Sequence, residues 1–386
     1  MKEKKKKTID DWIMAVLALI FALVSFNLVF IVIKKNNYKL PVDLVIASVL
    51  EEDVKDSLHI EKPEFVKGIY LTAYTAGTRR LDDLIDFVKQ NDLNAMVIDL
   101  KGPNGEPAFH FTNEKLIKYN TDRELYNPKE VLDKLHKAGI YVIGRTFVFQ
   151  DPYMVRAEPS FALKNINGGN WTDYRGVSWL DPTSLDVWQY NVNMAVDAYE
   201  QGFDEIQFDY IRFPSDGNLK AIKYVGWDGT TPKELEIEKF FAYISKILRR
   251  KGVKTSADLF GLVCCYNNYD LGIGQVLERA LPYFDFISPM MYPSHYSDGF
   301  IGYSNPAEHP YGVVKYSMDK ANEKVEILQA SATSTPLGGL RPWIQDFDLG
   351  AYYNTFEVNE QIRAVDEANG EGFLIWNARN VYTPLK

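Results

Sequence analysis

From residue 67 onward the chain alternates between two kinds of hydrophobic pattern. Short apolar or every-second-residue runs at 67–75, 95–100, 141–149, 205–211, 255–260, 284–291, 325–330 and 372–376 predict strands. Between them, apolar positions at three- and four-residue spacing over 80–91, 128–137, 185–201, 233–251, 275–281, 312–322 and 355–369 predict helices. Pro128 and Pro232 stand near helix starts, and Gly139, Gly202, Gly252 and Gly370 just past helix ends. Eight strands with seven helices between them predict an α/β fold, a single (β/α)8 TIM barrel over 67–386, rather than a doubly wound sheet. Gly102-Pro-Asn-Gly105 matches neither a P-loop nor a dinucleotide turn. Longer insertions after strands two, three and six are expected to build one wall of a cleft.

The fourth strand carries the most information. In Glu205-Ile-Gln-Phe-Asp-Tyr210, Ile206, Phe208 and Tyr210 share one face, and Glu205, Gln207 and Asp209 the other. In a parallel barrel the apolar face packs on the outer helices and the polar face looks into the lumen. Asp209 then ends the inner face, where barrel enzymes keep their chemistry. The ends of the other strands should converge on it. They offer Tyr70, Thr72 and Tyr74; Asp99 and Lys101; Arg145; Arg212, just past the fourth strand; Asp258; Ser288, Met290, Tyr292 and His295; Gln329; and Trp376 with Asn377. This set is rich in carboxylates, amides and aromatic rings and poor in histidine, as a carbohydrate site is.

Cleavage of a glycosidic bond requires two carboxyl groups facing it. Asp209 and Asp258 end neighbouring strands about 4.8 Å apart, so their side chains fall roughly 5–9 Å from each other, a span that covers retaining and inverting geometries. Other roles remain open for each. Asp209 also reads as a rim carboxylate neutralised by Arg212, Asp258 as the cap of the following turn, and Asp99 as a partner of Lys101 or Arg145. His295 reads either as a substrate contact or as a loop anchor.

Before the barrel lies a different pattern. Residues 12–33 are almost unbroken apolar sequence, interrupted by Ser25 and Asn27, and as a helix would reach roughly 33 Å, enough to cross a bilayer core. No Ala-x-Ala site follows, so an uncleaved anchor is expected, not a signal peptide. Five lysines precede the span and three follow it, which predicts a cytoplasmic basic tail at 1–11, a single pass through the lipid bilayer, a stalk at 34–66, and the large domain outside the cell.

Composition narrows the partners. A net charge of −9 argues against a nucleic-acid partner. The 24 Tyr, 22 Phe and 7 Trp supply the flat faces that sugar-binding clefts use. Cys264 and Cys265, the two cysteines, are adjacent and cannot staple the fold. No two of the five histidines fall at metal-ligand spacing and no Gly-x-Ser-x-Gly elbow occurs, so no metal, cofactor or serine-hydrolase chemistry is expected.

Four segments carry a family resemblance: Lys67-Gly-Ile-Tyr-Leu-Thr72, Phe203-Asp-Glu-Ile-Gln-Phe-Asp-Tyr-Ile-Arg-Phe-Pro214, Ile287-Ser-Pro-Met-Met-Tyr-Pro-Ser-His-Tyr296 and Arg341-Pro-Trp-Ile-Gln345. From about Lys67 to the C-terminus the chain resembles a bacterial family of glycoside hydrolases, exported barrels distantly similar to α-amylases. The resemblance implies a (β/α)8 barrel and carbohydrate hydrolysis. An amylase-like barrel has its nucleophile at the end of strand four and its acid at the end of strand five, which correspond here to Asp209 and Asp258. The chain departs from α-amylases in having Gln207 where they carry an arginine, with Arg212 beyond the nucleophile instead, and in offering aspartate where their acid is glutamate.

Two functional readings follow. One is a membrane-anchored extracellular glycoside hydrolase acting on a cell-envelope or environmental polysaccharide. In it Asp209 is nucleophile or base and Asp258 the acid, Arg145 and Arg212 hold Asp209 ionised, and Tyr74, Tyr292, Trp343 and Trp376 stack on sugars. Lys101, Gln207, Gln329, Gln345 and Asn377 complete the expected substrate-binding set. The other is a non-catalytic polysaccharide-binding barrel serving as an envelope scaffold. Two convergent carboxylates favour the first.

Overall fold

The computed structural model describes residues 58–331 and 336–386. The expected tail, apolar span and most of the expected stalk lie outside the described residues. Among the described residues, no helix is long and apolar enough to cross a membrane.

Eight parallel strands close into a barrel: β1 (Val66–Leu71), β2 (Ala95–Asp99), β3 (Tyr141–Phe147), β4 (Glu205–Asp209), β5 (Lys254–Phe260), β6 (Phe286–Met290), β7 (Trp343–Gln345) and β8 (Gly372–Trp376). Each pairs with the next, and β8 pairs with β1 to shut the ring. Six helices of ten residues or more cover it: α1 (Arg80–Gln90), α2 (Pro128–Lys137), α3 (Leu185–Glu200), α4 (Lys233–Leu248), α5 (Pro310–Ser331) and α6 (Thr355–Glu367). Between β5 and β6 only one-turn helices stand, Leu262–Cys265 and Leu277–Ala280. The signals behind these ends are local. Asn127 caps α2 with Pro128 at its first position, and Asn354 with Glu357 forms a capping box on α6.

The alternation on β4 does what its pattern predicts. Ile206 and Phe208 join the apolar layer between strands and helices, while Glu205 and Gln207 point into the lumen. A second apolar cluster fills that lumen, built from Val66, Tyr70, Val97, Ile143, Trp343 and Leu374 among others. Deep inside it, Arg341 makes an ion pair with Glu205, which also accepts hydrogen bonds from Ser256 (2.5 Å) and Tyr141 (3.3 Å).

The expected strand at 325–330 is the one element that fails. Those residues are the last turns of α5, whose buried positions Val313, Val314, Ser317, Met318, Ala321 and Lys324 keep helical spacing without a break. No glycine or proline interrupts 313–331, and Val325, Ile327 and Leu328 make an apolar run too short to specify a period. The seventh stave comes later and in two pieces, Gly339–Leu340 and β7, because Pro342 between them has no N–H to give the ladder.

Residues 58–65, read as the end of a stalk, lie on the barrel's underside. The Ile60 N–H donates to Asp204 (2.9 Å), His59 stacks on Tyr199, and Ile60 packs against the lumen cluster. At the opposite end, the insertions after β3 and β4 join through a small antiparallel pair, Lys164–Asn165 with Ile222–Lys223.

Candidate active site

All eight strands deliver a side chain to the C-terminal mouth of the barrel. Arg145 of β3 is the hub. It is buried, and it donates to Asp99 of β2 through Nη1 (2.6 Å) and to Asp209 of β4 through Nη2 (2.5 Å) and Nε (3.2 Å). Its Nε also lies 3.6 Å from Oδ2 of Asp258 on β5. With one nitrogen this close to both, the Asp209 and Asp258 oxygens are at most about 7 Å apart, near enough to face one glycosidic bond together. Rings cage the guanidinium: Phe147, Trp376 and Tyr70 lie 4.7, 5.0 and 5.4 Å from it.

The three carboxyls differ in what they have left to offer. Both Asp99 oxygens are taken, one by Arg145 and the other by the Tyr70 hydroxyl at 2.5 Å. Asp209 accepts from Arg145 on one oxygen and from the Tyr210 N–H on the other (2.6 Å). Asp258 accepts from Trp343 Nε1 on Oδ1 (2.7 Å), while its buried Oδ2 has no hydrogen-bond partner. Burial pushes the Asp258 carboxyl well above the usual carboxylate range. The Asp209 charge pushes the same way, while Arg145 and the Trp343 N–H oppose them.

That direction has a consequence for stability. The native state holds the Asp258 proton to higher pH than the unfolded chain, whose aspartates release theirs near pH ~3.9. Above that pH the native state binds more protons, so this residue draws stability down as pH rises towards its folded pKa. Asp258→Asn should therefore raise Tm at neutral pH and lose the advantage below about pH 4. Thermal melts of both proteins across that range check the trend; a shift that does not vary with pH would contradict it.

The mouth has two lobes. A pocket of about 200 Å³ is lined by Asp209, Asp258, Phe260, Met290, Tyr292, His295 and Trp343. A second, of about 440 Å³, is lined by Tyr70, Thr72, Tyr74, Asp99, Lys101, Asn104, Gln150 and Arg175 among others. Arg145, Tyr210 and Trp376 line both and so stand between them. Tyr210 holds a left-handed backbone (φ 54°), a conformation a bulky residue adopts only when its surroundings impose it. Phe147 packs edge-on to its ring and the Arg212 guanidinium lies 5.7 Å from it.

Several expected contacts fall elsewhere. Gln329 is exposed on α5, because its segment is helix. Gln207 is fully buried below Asp209 and donates to Ser288 (3.3 Å). Gln345 accepts from the N–H and hydroxyl of Ser294 and so anchors the loop carrying His295. Asn377 donates to the Asp346 carbonyl. Arg212 does not bond Asp209; it donates to Ser215 (2.9 Å) and stacks on Trp179. The guanidinium on Asp209 thus comes from β3 rather than from its own segment. Lys101 lines the larger lobe but is tied to Asp151 and the Phe147 carbonyl, both at 2.7 Å. Sequence reasoning missed Tyr210 and Phe260 as lining residues, and Arg175. Nothing in the sequence marks a tyrosine for a left-handed turn, and Arg175 sits in a long insertion with no periodic pattern.

Comparison with known proteins agrees with this architecture. A family described as "putative glycosyl hydrolase domain" matches residues 68–382. No curated protein matches the chain. Among solved structures, the PgaB (BpsB) glycoside hydrolase domain from Bordetella bronchiseptica is similar over 81% of this chain and 94% of its own, with 13% identity and a TM-score of 0.56. A cycloalternan-degrading enzyme from Trueperella pyogenes matches 83% of this chain and 44% of its own at 11% identity and a TM-score of 0.50. A hypothetical protein from Ruminiclostridium thermocellum is 37% identical over 49% of this chain and 96% of its own, with a TM-score of 0.44.

Proposed function

Because the chain belongs to that glycosyl hydrolase family, we propose that it is a membrane-anchored extracellular glycosidase that cleaves a cell-envelope or environmental polysaccharide between Asp209 and Asp258. The observation that carries this reading is the carboxyl pair itself. Two acidic groups share one guanidinium at the floor of an open aromatic-walled pocket, and they are unlike in environment. Such a difference is what assigns acid and base roles in glycosidases. Asp209, paired with Arg145, acts as nucleophile or base on the anomeric carbon. Asp258, whose carboxyl burial pushes well above the usual carboxylate range, is the proton donor and delivers its proton to the leaving oxygen from Oδ2, which makes no hydrogen bond. Trp343 fixes the other Asp258 oxygen, so the proton-bearing one is Oδ2, which has the Arg145 Nε at 3.6 Å but no hydrogen bond. Tyr292, His295 and Trp376 wall the sugar; burial lowers the His295 pKa, which favours the neutral ring there.

Screening residues 58–386, which form one compact unit, against a panel of polysaccharides tests this reading. Release of new reducing ends with identifiable products supports it, and binding without cleavage of any glycan would leave a binding barrel in its place. The anchor, residues 12–33, rests on the apolar span and the lysine excess before it. Protease added to intact cells is expected to remove the barrel. A barrel protected until lysis would overturn the extracellular placement.

A further inference from the structure

The larger lobe differs from the carboxyl-bearing one in its charge. Four ionisable groups other than tyrosine line it: Asp99, Lys101, Arg145 and Arg175. Three are already engaged. Asp99 is held by Arg145 and Tyr70, Arg145 by Asp99 and Asp209, and Lys101 by Asp151. The Arg175 guanidinium is different: the residue is exposed, its backbone N–H is bonded to Asp173 (2.9 Å), and its side chain makes no hydrogen bond or ion pair among the described residues. The nearby carboxylates make no ion pair with it among the described residues. Asp173 spends its oxygens on the Arg175 and Val177 N–H groups and on Trp179, and Asp216 accepts from the Tyr174 N–H. The lobe therefore presents an unpaired cation to its opening, with the amides of Asn104 and Gln150 beside it. A guanidinium fork of this kind recognises planar or tetrahedral oxyanions.

We propose that this lobe is a subsite for an anionic sugar unit, a hexuronate or a sulfated hexose, held by Arg175 next to the bond cleaved at Asp209 and Asp258. The inference rests on the hydrolase reading for what happens in the neighbouring lobe, but the recognition itself does not require turnover. Tyr210, lying between the lobes, marks where one sugar unit ends and the next begins. Asn104 and Gln150 then meet hydroxyl groups of the anionic unit, and the ring of Tyr74, half exposed at the rim, meets its apolar face.

The test measures binding by the detergent-solubilised full chain carrying Asp258→Asn. That substitution leaves Arg145 its ion pairs with Asp99 and Asp209, whereas Asp209→Asn would release a guanidinium and create a competing anion site. The probes are a hexuronate oligosaccharide, its carboxyl-reduced neutral counterpart and a sulfated oligosaccharide of equal length. At least one anionic probe should bind about ten-fold more tightly than the neutral one, as one charge-assisted contact allows, and salt should erode the difference. Which of the two anionic probes binds distinguishes the substituents. Arg175→Ala should remove most of the preference and Arg175→Lys keep part of it. Equal binding of anionic and neutral probes, a preference that survives Arg175→Ala, or no binding of either anionic probe would overturn the proposal. Failure of the wild-type chain to cleave any glycan, with the Arg175-dependent preference intact, would instead count against the hydrolase reading alone.

Discussion

Asp209→Asn is expected to lower turnover of any cleaved glycan by at least about a thousand-fold, a loss of ~4 kcal/mol at the transition state, with the fold intact. The amide fits the same space but can accept from only one of the Tyr210 N–H and the Arg145 guanidinium, so the melting temperature should fall while circular dichroism keeps the native spectrum. Asp258→Asn should behave differently, and the difference separates the roles. A substrate with a nitrophenyl leaving group needs little protonation, so Asp258→Asn should cleave it far better than it cleaves a natural glycan. Asp209→Asn should be poor on both. Kinetics of both variants on an aryl glycoside and on the parent oligosaccharide check this. Equal losses on both substrates for Asp258→Asn would remove it as the acid. Asp99 would not replace it readily, since both its oxygens are already bound.

Arg341→Met should destabilise the barrel by about 3–5 kcal/mol, because it leaves Glu205 buried without a countercharge. Glu205 and Arg341 have no exposed surface, and the guanidinium is also packed 4.4 Å from the ring centre of Phe286. The pair lies below Gln207 in the lumen and touches neither lobe, so the cost should appear in stability and not in substrate affinity. Adding Glu205→Leu to Arg341→Met should recover much of the loss, since an apolar pair of similar size needs no countercharge. Urea unfolding of the two variants reads both effects. A loss below about 1 kcal/mol for Arg341→Met would mean that water reaches Glu205.

The elements that the sequence made legible were those whose pattern is set by their own residues. On β4 the alternation of Glu205, Gln207 and Asp209 with Ile206 and Phe208 specifies which side faces the lumen, and the strand obeys it. Asp209 and Asp258 could be placed at the mouth because a barrel turns the inward residues near each strand's C-terminal end towards it, although Phe260, two residues on, also faces the pocket. The seventh stave was not readable in the same way. Three residues split from two more by Pro342 carry no period, while Val325 to Ala330 looked like a strand although they only continue a helix. Trp343 was expected as a stacking ring from its motif alone; its N–H bond to Asp258 depends on β7 and β5 flanking β6 in the curved sheet, which no local pattern encodes. The same holds for Arg145. Its strand end was visible, but the bridge over three carboxylates arises from the register and curvature of four consecutive strands, which bring β2, β4 and β5 to one guanidinium on β3.

Whether one glycosidic bond is held between Asp209 and Asp258 can be seen in a crystal structure of the Asp258→Asn chain with a bound oligosaccharide. The expected result is a sugar in the smaller lobe, its glycosidic oxygen within ~2.6–3.2 Å of the substituted side chain and its anomeric carbon facing Asp209. A glycan lying along the mouth with no glycosidic oxygen near either position would contradict it.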